Sequence, residues 1–223
     1  MTNSSRYRRV IAIDGPAASG KSSVARELAR RVGFVYVNSG AMYRAVTWHV
    51  LEQGIDPADE KTVAQLAATM RMGCDLDGDD SRILIDGVDP TSHLRDVRVN
   101  DGVSLVSSVP RVREALVEKM RAYALHHDVV MEGRDIGSVV FPDTPFKFYI
   151  DASPEIRSHR RAAQGQTDRI AARDRADSSR SASPLTIAPD AVVIDSSQLS
   201  IDGVVNEIVA RLHAKGFAAA ASL

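Results

Sequence analysis

The 223-residue sequence predicts one α/β unit in three layers, α/β/α, built around a five-stranded parallel sheet. Three observations carry that expectation. Short continuous apolar runs, each the length of one buried strand, recur along the chain. Between them, apolar residues repeat at helical spacing, and strands alternating with helices imply parallel strands covered on both faces. The length, with 44% hydrophobic and 26% charged residues, suits a single globular domain.

The elements follow in order. Val10-Ile11-Ala12-Ile13 is a strand closed by a glycine-rich turn, and Val24, Leu28 and Val32 recur at i, i+4 and i+8 in the helix after it. Phe34 to Val37 is the second strand, and Met42, Ala45, Val46, His49 and Val50 mark its helix. Val63, Leu66, Ala67 and Met70 mark a third helix. From Arg71 to Ile85 the Asp-Gly turns, with Asp86-Gly87 after them, read as a small β-rich insertion. Pro110 suits the first turn of a fourth helix, carried by Val112, Leu116, Met120 and Tyr123 into a strand from Asp128 to Met131. Lys147 to Ile150 is a further strand, and Pro154 to Arg180 reads as helical but strongly polar. Ala191 to Ile194 closes the sheet, and Val204, Val205, Ile208, Val209 and Leu212 form a last amphipathic helix with Ser200 as its N-cap.

Composition removes several function classes. With 28 Lys+Arg against 29 Asp+Glu there is no global field to hold a polyanion, so nucleic acid is not an expected partner. The single cysteine, Cys74, can form no intramolecular disulfide or zinc cluster. The apolar stretches fall far short of about 20 residues, so no membrane partner is expected and the cytoplasm is the expected location.

Gly15-Pro16-Ala17-Ala18-Ser19-Gly20-Lys21-Ser22 fits G-x-x-x-x-G-K-[ST] between an apolar strand and an amphipathic helix, as a phosphate-binding loop requires. Glycines let the backbone approach phosphate, and the helix N-terminus favours negative charge. Lys21 bridges the terminal phosphates, and the Ser22 hydroxyl suits Mg²⁺ carried by a triphosphate. Gly15 to Ser23 is therefore the expected nucleoside triphosphate site, with Mg²⁺ as the expected cofactor.

Arginines identify the acceptor. Arg44 follows Ser39-Gly40-Ala41-Met42-Tyr43 after the second strand, Arg134 stands in Glu132-Gly133-Arg134-Asp135 after another, and Arg180 ends the polar segment. Ligands bind at strand carboxyl ends in open α/β sheets. A neutral hydroxyl acceptor would want a carboxylate base, whereas guanidiniums suit an acceptor that is already a phosphate anion. Between Arg157 and Arg180, seven arginines face Asp168, Asp174 and Asp177, which reads either as a solvated salt-bridged helix or as a lid closing over phosphate. A nucleotide-operated regulatory switch is the competing class, weakened because no Asn-Lys-x-Asp guanine-reading segment occurs.

Five ordered blocks carry a family resemblance: Ile13-Asp14-Gly15-Pro16 with Gly20-Lys21, then Ser39 to Arg44, Pro110 to Leu116, Gly133-Arg134-Asp135-Ile136-Gly137 with Val140 to Asp143, and Arg173 to Arg180 before Pro184-Leu185. On these the chain resembles the bacterial cytidylate kinases, P-loop nucleoside monophosphate kinases that move the γ-phosphate of ATP to CMP or dCMP. A UMP/CMP or adenylate-type kinase is the nearest alternative. A monomer is expected, and the resemblance implies a nucleoside-monophosphate-binding insertion at 71–108 and an arginine-rich lid at 155–180. It implies that Lys21, Arg134, Arg161 and Arg180 serve the transfer, and that Ser39, Arg44, Arg134 and Arg180 meet the acceptor phosphate, with Tyr43 beside them. By the same resemblance Arg173 and Asp177 contact the ribose, while Ser104, Arg113 and Asp135 read cytosine. Two features depart from the family pattern: Asn38 stands where Asp is common, and the stretch from Gln164 to Asp168 is shorter than expected.

Overall fold

The computed structural model describes residues 7–163 and 185–217. Its elements run β1 (Val10–Asp14), α1 (Lys21–Val32), β2 (Val35–Asn38), α2 (Ser39–Glu52), α3 (Glu60–Thr69), β3 (Met72–Asp77), β4 (Asp80–Ile85), α4 (Val97–Val106), α5 (Pro110–His126), β5 (Val129–Gly133), β6 (Phe146–Asp151), α6 (Pro154–Ala163), β7 (Val192–Asp195) and α7 (Ile201–Ala214). A 3₁₀ turn, Thr91–His93, precedes α4, and a π-helical turn, Ile136–Val140, follows β5.

The strands lie in the order β3-β4-β2-β5-β1-β6-β7. The five from β2 to β7 in that order pair in parallel, as alternation of strand and helix requires. The expected five-stranded sheet is therefore present but extended: β4 joins β2 through the single pairing of Tyr36 with Asp80, and β3 lies antiparallel to β4. Among the described residues the sheet has seven strands. The added pair is a hairpin whose turn is Gly78 in the left-handed region at φ +62°, a conformation open to glycine.

Successive side chains on β1 point to opposite faces, and both faces are covered. Val10 and Ala12 pack with α2, α3 and α5 through residues such as Val46, Val63 and Leu116. Ile11 and Ile13 pack with α1 and α7 through Val24, Leu28, Val204 and Ile208. Pro110 opens α5, and the Ser200 hydroxyl accepts the Gly203 amide at 3.1 Å to cap α7.

The β-rich reading of Arg71 to Ile85 is met by the β3–β4 hairpin, and the last third of 71–108 holds a helix, α4, that the sequence reading did not mark. Val99, Val103 and Val106 stand at i, i+4 and i+7 there and are buried, while β-branched residues and an internal glycine disguise the helix. Gly102 permits close packing on α2, since a Cβ would meet Thr47 and Pro57 at 3.1 to 3.2 Å. The polar helix after Pro154 is described only to Ala163, and its remainder to Arg180 lies outside the described residues.

Candidate functional site

The loop from Gly15 to Gly20 leaves the carboxyl end of β1 and enters α1 at Lys21. Gly15 has φ +153°, and a Cβ there would stand 2.1 Å from the Ile150 carbonyl oxygen, so no larger residue fits against β6. Lys21 is buried, with Nζ donating to the Pro16 carbonyl at 3.0 Å, which keeps the ammonium inside the loop's curve. Helix α6 holds this loop from behind. Arg157 donates to the Ala17 carbonyl at 3.3 Å and the Ala152 carbonyl at 3.1 Å, and Arg160 donates to the Ser19 carbonyl at 3.2 Å. Ser196, just past β7, donates to the same Ser19 carbonyl at 2.8 Å and receives Arg160 on its own carbonyl at 2.7 Å.

Opposite the loop stand the carboxyl ends of β2 and β5. Asn38 caps α2 by accepting the Ala41 amide at 2.9 Å, so the amide keeps the capping oxygen that Asp would supply. Ser39 donates to the Glu132 carbonyl at 2.7 Å, and Gly133 permits that approach because a Cβ there would lie 2.6 Å from Ser39 Oγ. Arg44 reaches back to the Gly40 carbonyl at 3.0 Å and to Asn100 at 3.5 Å. Arg134 donates to the Gly133 carbonyl at 3.3 Å. Arg113 and Asp135 form a buried ion pair, and Arg113 also donates to the Ser107 carbonyl at 3.2 Å and lies 5.5 Å over the Tyr43 ring.

One cavity of about 490 Å³ joins these groups. Its wall includes Ala17 through Ser23 of the loop, Ser39, Tyr43 and Arg44 of the second block, Ser104, Arg113, Arg134 and Asp135, and Arg161 on α6. Gly15 and Pro16 form the back of the loop rather than the wall. Arg173, Asp177 and Arg180 lie outside the described residues. Among the described residues, Lys21, Arg44, Arg113, Arg134, Arg160 and Arg161 share that wall with the carboxylates of Glu132 and Asp135 alone, an imbalance suited to polyanionic ligands.

Sequence reasoning missed four groups. Arg157 and Arg160 belong to a charge run that reads either as solvated or as a lid, yet their i, i+3 spacing on the helix after β6 puts both against the loop. Glu132 is 3% exposed and lines the cavity, accepting from the Tyr36 hydroxyl at 3.2 Å, which itself receives Asn38 Nδ2 at 3.1 Å. Burial and the nearby Glu132 charge raise the Tyr36 phenol above its ordinary value and keep it a donor. Asp14, ending β1, accepts from the Ile136 amide at 2.8 Å and the Gly137 amide at 2.7 Å. Its carboxyl is pushed up to about 6, because burial, aided by the Asp135 charge, outweighs those two bonds and Arg134. The associated stability is present below the unfolded carboxyl's value near 4 and is lost as pH rises through 6, by roughly 3 kcal/mol.

A glycine-rich loop at the end of the central strand, facing arginines on the neighbouring strand ends across one cavity, makes this a P-loop nucleotide phosphotransferase. Residues 11–214 match the family profile of cytidylate kinase. The chain is 46% identical over 216 residues to a cytidylate kinase of Pelotomaculum thermopropionicum, covering 92% of this chain and 96% of that relative. It is 45% identical over 211 residues to one of Mycolicibacterium paratuberculosis (89% and 92%) and 42% identical over 210 to one of Limosilactobacillus reuteri (89% and 92%). The chain belongs to the cytidylate kinase family.

Proposed function

We propose that this cleft transfers the γ-phosphate of ATP to CMP or dCMP, with the donor over Gly15 to Ser23 and the acceptor between Arg44, Arg134 and the Arg113–Asp135 pair. The observation that carries the reading is that a phosphate loop and a buried carboxylate–guanidinium pair open onto the same arginine-lined cavity. An ionised carboxylate accepts from the cytosine amine and offers a uracil carbonyl no donor. The nucleophile is an anionic phosphate oxygen, so no general base is required, and the work is positioning and charge neutralisation. Lys21 and Arg161 take the donor phosphates, while Ser39, Arg44 and Arg134 take the acceptor phosphate. Arg180 joins them in this reading, and Arg173 and Asp177 meet the ribose.

Ser22 and Glu132 fit Mg²⁺: both are hard oxygen donors on one cavity wall, and among the described residues Glu132 has no cation paired with it. Bound with ATP, the ion would neutralise charge on the transferring phosphates. Residues 71–108 serve in this reading as the acceptor-binding insertion, supported by Ser104 on the cavity wall, and 155–180 as the lid. In this reading the protein works as a monomer in the cytoplasm. No helix among the described residues is long and apolar enough to cross a membrane.

Membership of the cytidylate family speaks against an adenylate-type acceptor. The test is ADP release from Mg·ATP with CMP, dCMP, UMP and AMP in turn. The cytidine nucleotides are expected to exceed UMP and AMP in kcat/KM by at least about 10²-fold. Equal turnover of UMP would refute the base assignment, and no turnover with any monophosphate would refute the kinase reading.

A further inference from the structure

We infer that Asp14 is a positioning residue for phosphoryl transfer, tying the start of the donor loop to the end of the acceptor block. The inference rests on reading Arg134 and Asp135 as acceptor residues. Asp14 is followed at once by Gly15, and its two carboxyl oxygens take the amides of Ile136 and Gly137, the residues directly after Arg134-Asp135. The β1–β5 ladder ends where Asp14 pairs with Gly133. Beyond that pairing, one buried side chain spans the two loops that must bring donor and acceptor phosphate together.

Energetics favour a role beyond packing. The carboxylate sits 6% exposed beside a second carboxylate, Asp135, and its burial opposes ionisation. An amide of the same shape would avoid that opposition but has a single acceptor oxygen for two adjacent N–H groups. The approach is tight as well: a Cβ at Gly137 would stand 3.2 Å from the Lys147 methylenes and 3.4 Å from Asp14 Oδ2. In-line transfer needs reacting atoms within about 3 to 3.5 Å, and a displacement of about 1 Å costs on the order of 10²-fold.

Asp14→Asn tests this. The variant is expected to lose at least about 30-fold in kcat while KM and calorimetric affinity for ATP and for CMP each change less than about threefold. The Ile136 and Gly137 amide resonances should shift, and circular dichroism should show the fold intact at the assay temperature. A folded variant with kcat within about threefold of the parent overturns the inference. So does a loss of kcat matched by equal loss of both affinities in the folded variant, since that assigns Asp14 to structure alone. Should the amide variant not fold, Asp14→Ser carries the same expectations. Arg134→Lys in the same assay checks the underlying reading separately: unchanged CMP kinetics there would remove Arg134 from the acceptor site without touching the Asp14 result.

Discussion

Lys21→Ala is expected to fold normally and to lose at least about 10²-fold in kcat. The ammonium sits inside the curve of the loop, 3.0 Å from the Pro16 carbonyl and buried, where solvent screening is weak. Charge on the terminal phosphates grows and redistributes in the transition state, so removing the ammonium is felt in kcat more than in binding. The loop itself does not depend on this side chain for its shape. Gly15 against Ile150, Arg157 on Ala17, and Arg160 with Ser196 on Ser19 hold it from other directions. Steady-state kinetics with circular dichroism on the same preparation checks this, and a folded variant with near-normal turnover would remove Lys21 from the reaction.

Asp135→Asn is expected to lower the CMP to UMP ratio of kcat/KM by at least about tenfold, mainly through lost CMP activity. Asparagine can turn either its oxygen or its amide toward the base, so the preference for a donor disappears. The structure adds a second consequence, because Asp135 is the buried partner of Arg113. Removing one member of such a pair costs up to about 3 to 5 kcal/mol, so the melting temperature should fall as well, and the ratio must be measured well below it. If CMP and UMP lose activity in parallel, Asp135 serves only to hold Arg113 in place and the base is read elsewhere.

Local signals made most of the parallel sheet legible. The runs at Val10, Val35, Val129 and Phe146 mark inner strands and the run at Val192 an edge strand with Val193 exposed, and the helical repeats cover both faces of the sheet. The phosphate loop was legible because its glycines answer to backbone requirements visible in sequence. Contacts far apart in sequence were not. The hairpin's union with the sheet depends on one pairing, Tyr36 with Asp80, 44 positions along the chain, and no periodicity announces it. Helix α4 was hidden by valines and Gly102, residues that favour other conformations until packing against α2 decides the matter. Arg157, Arg160, Glu132 and Asp14 were passed over because charge in a linear sequence reads as exposed, and only the fold shows which carbonyls, hydroxyls and amides they meet. Asn38 is the reverse case: its amide oxygen caps α2, the same job that the Asp expected from the resemblance could do.

The central claim is that one chain holds donor and acceptor phosphates in line across a single cavity. Calorimetric titration with adenosine and cytidine joined through a five-phosphate chain tests it most directly. The account predicts one equivalent bound per chain, with a Kd at least about 10²-fold below that of ATP or CMP alone, and loss of that gain in Lys21→Ala. Binding no tighter than ATP alone, or at two equivalents per chain, would contradict it.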